Sequence, residues 1–251
     1  LIYWNGCSFV KGYELTEKNS NFVNKVSEHF NQEFVNDAKV GGSNDRIYRT
    51  TIEYCLKNKP DLVVIMWSGI NRQEYLMRME NTWRQMNWSN WYCNLKTGLT
   101  DVTRSVLHHH PGVTDTEQEV LQGWAKFKSV KYNLKTTLNY MIGLKYFLQA
   151  KNIPYLYYNF SDGQYKPFFK FLDEEYFEAA NIIWSPTVTL TREDYLVELP
   201  HLTEKIGMYD FTLKHGYKMG RRDHPLEDAH QAYGEYIIKD IYDNEYDKIL
   251  V

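Results

Sequence analysis

The sequence predicts a doubly wound α/β sandwich, and two observations carry that expectation. The segment Asp61-Leu62-Val63-Val64-Ile65-Met66-Trp67 is a continuous apolar run of the kind buried on both faces of a parallel sheet. Around it, short apolar runs alternate with segments of helical periodicity along the whole chain.

Taken in order, Leu1 to Trp4 reads as a short strand. Asn21 to Phe30 reads as a helix, because Phe22, Val23, Val26 and Phe30 fall on one face. Glu33 to Asn36 is a weak second strand. A helix over Asp45 to Lys57 follows, with Ser43 or Asn44 as its N-cap and Pro60 as its stop. After the central strand, a long helix over about Leu134 to Lys151 presents Leu134, Leu138, Met141 and Leu148 to the core. It leads through Pro154 into a strand over Tyr155 to Asn159. A last helix is expected from about Leu226 to Tyr242.

At 251 residues the chain has room for one large domain, and a single domain over 1–251 is expected, with insertions at about 72–133 and 160–217. Both insertions follow carboxyl ends of strands, so both are expected to gather over that edge as a lid or helical cap. A net charge of -3 with interspersed acids and bases leaves no basic stripe for nucleic acid. No apolar run approaches the length of a membrane span. Three cysteines at unrelated spacings, Cys7, Cys55 and Cys93, argue against a disulfide framework and fit a reducing, cytoplasmic setting.

Sheets of this class bind ligands outside the carboxyl ends of their strands. The first strand there ends in Gly6-Cys7-Ser8, a turn that lifts a hydroxyl out of the backbone and presents it to solvent. The second is followed by Gly41-Gly42-Ser43-Asn44 and the third by Ser68-Gly69-Ile70-Asn71, while Asp223-His224-Pro225 precedes the last helix. A serine, a histidine with a neighbouring acid and two oxyanion donors thus converge on one edge. Each has a plainer reading: Ser8 as a turn residue, Asn71 as the cap of a helix after the third strand, His224 as a turn residue before Pro225. His108-His109-His110 do not form a metal site by spacing, and no metal or cofactor is expected.

These four blocks, in this order, resemble those of the SGNH hydrolases, the GDSL esterase/lipase superfamily. The resemblance implies a flavodoxin-like three-layer sandwich with a central parallel sheet, and serine-based ester hydrolysis through an acyl-enzyme. It implies Ser8 as nucleophile, His224 as base, and an oxyanion hole from the N–H of Ser8, the N–H of Gly41 and the amide of Asn71; Gly42 is the alternative to Gly41. The orienting acid of the family sits two or three residues before the histidine, where this chain has Arg222 and Arg221. Three outcomes are open: Asp223 serves as the acid, a backbone carbonyl orients the ring, or Ser8 and His224 act as a dyad. Tryptophans at Trp83, Trp88 and Trp91, among polar residues, suggest a small-molecule or glycan ester as substrate, with an O-acetylated carbohydrate as one form. A cap packing its own small core explains the same residues. A catalytically weak ligand-binding protein is the second functional class, supported by the displaced acid.

Overall fold

The structure, a computed structural model, describes residues 1–77, 82–87, 130–172 and 190–250. Four parallel strands form the central sheet: β1 (Ile2–Asn5), β2 (Phe34–Asn36), β3 (Leu62–Trp67) and β6 (Tyr155–Asn159), in the order β2-β1-β3-β6. Ile2 pairs with Phe34 on one side and Leu62 on the other, and Trp67 pairs with Asn159 across β3 and β6. Placing the first strand beside the third while the second lies outside creates a switch point between β1 and β3. In open sheets of this class, ligands bind at such a point, outside the carboxyl ends of the strands.

Alternation along these strands builds two cores. Tyr3, Val63, Ile65, Trp67 and Tyr157 face one layer, formed by α3 (Asn44–Lys57) and α4 (Val130–Ala150). Ile2, Trp4, Val64, Met66 and Tyr158 face the other, formed by α2 (Phe22–His29) and α8 (Glu227–Asp243). A strand buried on both faces has no polar side to write into its sequence, which is why β3 reads as an unbroken apolar run. Among the described residues, no helix is long and apolar enough to cross a membrane.

The sequence expectations hold for the frame and differ at one junction. The strand over Tyr155–Asn159 has the predicted bounds, and the helices at 22–29, 44–57, 130–150 and 227–243 lie where periodicity places them. After β3, however, the chain enters strand β4 (Arg72–Met77), which pairs antiparallel with β5 (Thr82–Asn87). The first insertion therefore begins as paired strands, not as a helix, and Asn71 caps no helix. Trp83 lies in β5 in register with Leu76. Trp88, Trp91, Cys93 and His108 to His110 lie outside the described residues. In the second insertion the chain forms the short helices α5 (Arg192–Glu198), α6 (His201–Glu204) and α7 (Met208–Lys214).

Candidate active site

The carboxyl ends of β1 and β3 are tied to the helices behind them by two buried asparagines. Asn5 closes β1: its Oδ1 accepts from the N–H of Gly6 at 2.8 Å, and its Nδ2 donates to the hydroxyls of Thr50 and Thr51 on α3. Ser43 takes the N-cap position of α3, and Asn44, the other cap candidate, clamps the end of β3. Its Oδ1 accepts from the N–H of Ser68 at 2.7 Å, and its Nδ2 donates to the Ser68 carbonyl at 3.0 Å. The hydroxyl of Tyr165 donates to the same carbonyl. Each amide satisfies buried backbone groups that the strands leave behind as they end.

Between these clamps the chain passes through Gly6 into the one-turn helix α1 (Ser8–Lys11). A Cβ on Gly6 would lie 2.4 Å from Val10 Cγ2 and 2.9 Å from the Met66 carbonyl, so only glycine lets α1 start this close to β3. Ser8 is the first residue of α1. Contrary to the expectation of a hydroxyl presented to solvent, it is 2 % exposed.

Ser8 Oγ lies 2.7 Å from His224 Nε2, and His224 Nδ1 lies 3.1 Å from Glu14 Oε2. A carboxylate is acceptor-only, so Nδ1 carries the proton toward Glu14, and Nε2 is left to accept from the serine hydroxyl. The imidazole packs against the rings of Phe9 and Tyr13, with centroids 5.2 and 5.1 Å away. Burial pushes the His224 pKa below the usual histidine value of 6.5; the hydrogen bond and charge of Glu14 oppose this, and the cation of Arg72 adds to it.

The acid facing the histidine is therefore Glu14, not Asp223. The segment before the histidine folds back on itself: Gly220 N–H donates to the His224 carbonyl at 2.8 Å, and Asp223 N–H to the Gly220 carbonyl at 3.2 Å. Asp223 is the left-handed residue of this turn, with φ 56°, and its side chain is exposed. Asp tolerates that conformation. Glu14 also has positive φ, 72°, just past the end of α1. Its carboxylate accepts from the N–H of Arg222 at 3.0 and 3.2 Å, while the Arg222 guanidinium donates to the Tyr13 hydroxyl at 2.8 Å. Left-handed backbone at a non-glycine residue costs about 1–3 kcal/mol, and it persists here because the turn and carboxylate are held from both sides.

Two further loops follow the ends of β2 and β3. A Cβ on Gly42 would sit 2.9 Å from the Gly6 carbonyl, so the Gly41-Gly42 loop can reach the start of α1 only with glycine there. Gly42 N–H donates to the Lys39 carbonyl at 2.8 Å, and Gly41 is left-handed, with φ 74°. Asn71 lies between β3 and β4, and its Oδ1 accepts from Asn133 Nδ2 at 3.3 Å, which holds the amide by its acceptor end.

Residues 20–175 match the family model of DUF6071, a family of unknown function. The chain belongs to DUF6071. The matched stretch of this DUF6071 chain includes Gly41, Asn44, Asn71 and Arg72, whereas Ser8, Glu14 and His224 lie outside it. No curated protein matches the DUF6071 chain in sequence. Solved structures similar to it include the psychrotrophic esterase EstA from Pseudoalteromonas sp., at 11 % identity and TM-score 0.48, covering 97 % of this chain and 98 % of that one. The acetyl xylan esterase AlAXEase is similar at 12 % identity and TM-score 0.45, over 96 % and 100 % of the two chains. Est2A, an acetyl xylan esterase from the rumen bacterium Butyrivibrio proteoclasticus, is similar at 8 % identity and TM-score 0.44; this chain is covered over 97 %, and 63 % of Est2A is spanned.

Proposed function

We propose that this protein is a serine esterase in which Ser8 is the nucleophile, His224 the general base and acid, and Glu14 the orienting carboxylate. The observation that carries the reading is the Ser8–His224–Glu14 hydrogen-bonded chain, at 2.7 and 3.1 Å. A serine hydroxyl is a weak nucleophile near neutrality, and a neutral imidazole at its oxygen supplies what it lacks. As Ser8 Oγ attacks the ester carbonyl, its proton passes to His224 Nε2, and the carbonyl electron pair moves onto oxygen. Collapse of this oxyanion expels the alcohol, which takes the proton from Nε2 and leaves Ser8 acylated. Water then attacks the acyl carbonyl with His224 again as base, releasing the acid and restoring the hydroxyl.

In this scheme the oxyanion is met by the N–H of Ser8, the N–H of Gly41 and the Asn71 amide. Gly42 is less suited to that role because its N–H is already donated to Lys39. Asn71→Ala is expected to lower kcat about 10²–10³-fold, with KM for a short-chain aryl ester nearly unchanged. A change confined to KM would make Asn71 a substrate contact.

The alternative of a catalytically weak or inactive binding protein has the displaced acid as its main support, and the contact of Glu14 with His224 weighs against it. An O-acetylated carbohydrate as substrate is favoured by the tryptophans alone; among the described residues no contact at the site speaks for it. The test is labelling with a fluorophosphonate probe. Modification of wild-type protein at Ser8, absent from Ser8→Ala, is the expected result; modification elsewhere, or none, would reject the reading.

A further inference from the structure

Arg72 is the first residue of β4, directly after Asn71, and among the described residues its charge has no carboxylate partner. Its neighbours in the fold differ in this respect. Arg46 pairs with Asp37 at 3.0 Å, and Arg49 with Glu74 at 3.0 Å. Glu74, two residues along β4 from Arg72, turns its carboxylate toward Arg49 instead. Among the described residues, the partly buried Arg72 guanidinium has only neutral contacts: Nη1 donates to the Ser68 hydroxyl at 2.9 Å, and the group lies over the Phe160 ring, 5.4 Å from its centroid. A guanidinium offers five N–H donors, and holding one partly out of water without a counter-charge is costly.

The position of this cation relates it to the proposed chemistry. Phe160 packs on Phe9, with centroids 5.3 Å apart, and Phe9 packs on His224, 5.2 Å apart. The cation is also near enough to His224 to lower its pKa. Arg72 also lines a cavity of about 220 Å³ together with Ile70, Asn133 and Thr136. That volume is below the range of about 300–1,000 Å³ typical of drug-sized ligands, so it suits one small substituent. Asp45 and Glu74 belong to the same wall, where Asp45 Oδ2 accepts from the Glu74 N–H at 2.9 Å. Glu74 is opposed by Arg49, Arg46 and Lys39, and one oxygen of each of the two carboxylates is sealed from solvent.

We propose that Arg72 anchors a carboxylate carried by the ester substrate, making it the residue that selects an anionic ester over its neutral counterpart. One guanidinium balances one negative charge, which favours a carboxylate over a dianionic phosphate, and its planar fork matches two carboxylate oxygens. The proposal rests on the esterase reading, since it concerns the substrate of that same site.

The test uses two pairs of esters in which a carboxylate is replaced by the isosteric amide. The mono-4-nitrophenyl ester of succinate against that of succinamate places the charge on the acyl side; acetoxyacetate against acetoxyacetamide places it on the alcohol side. In at least one pair the anionic ester should have the higher kcat/KM, by about 10–100-fold, the scale of a hydrogen bond to a charged group. Arg72→Gln should remove that preference, Arg72→Lys should restore part of it, and added salt should weaken it in wild type. Thermal unfolding of each variant separates loss of preference from loss of fold. No preference in either pair, a preference that survives Arg72→Gln, or an equal fall on anionic and neutral esters would overturn the proposal. If wild-type protein hydrolyses no ester and Ser8 is not labelled, the esterase reading fails by itself. Titration with succinate, followed by NMR, then decides the anchor: binding lost in Arg72→Gln supports it, and absence of binding overturns it.

Discussion

Ser8→Ala and His224→Ala are each expected to lower kcat by about 10⁶-fold, and the double variant no further. The two side chains act as one unit: the hydroxyl without its base is a poor nucleophile, and the base without the hydroxyl has nothing to deprotonate. Ser8 is packed at the first turn of α1, so removing one oxygen leaves the fold with a small defect and no unpaired charge. Steady-state turnover of 4-nitrophenyl acetate, with thermal unfolding as control, measures both effects. Wild-type kcat/KM should rise with pH as His224 becomes neutral and then level off. Because burial holds the His224 pKa below 6.5, the midpoint of that rise belongs on the acid side of the usual histidine value. Full activity of Ser8→Ala would dismiss the nucleophile outright.

Glu14→Gln is expected to cost about 10⁴-fold in kcat, the scale of losing a triad acid, whereas Asp223→Asn should cost less than about tenfold. The amide introduced by Glu14→Gln can still meet Nδ1, but its N–H₂ end favours the wrong tautomer, and it no longer stabilises the imidazolium formed as Ser8 attacks. Since Glu14 raises the His224 pKa, the variant should also move the acid limb of the pH profile to lower pH. A residue that merely braced the loop would not shift that limb in this way. Asp223 is exposed at a left-handed turn position, and its charge is screened by water. Equal losses in the two variants, or a larger one for Asp223→Asn, would overturn the assignment of Glu14.

The sheet and its principal helices were legible because burial is written into periodicity. The run from Leu62 to Trp67 and the one-sided apolar pattern of Phe22, Val23 and Val26 depend only on neighbours in the chain. The hairpin after Asn71 was not legible, because β4, Arg72 to Met77, carries charge at the positions where a buried strand would be apolar. Asn44 could be read as a cap or as something else; only the arrival of Ser68 from 24 residues away made it a clamp on β3.

The candidate site divides in the same way. Ser8, Gly41, Asn71 and His224 could be nominated because small residues, a hydroxyl and an imidazole mark strand ends in short blocks. Glu14 carries no such mark. It lies six residues after Ser8 in a loop, and its contact with His224 spans 210 positions. The chain by itself thus determined which strands and turns could bear chemistry, since those depend on local backbone geometry and burial. Which carboxylate meets the imidazole, and which cation has only neutral contacts among the described residues, only the tertiary structure decided. Hydrogen bonds and ion pairs act over a few ångströms of space, and sequence adjacency of Asp223 to His224 does not supply the direction they require.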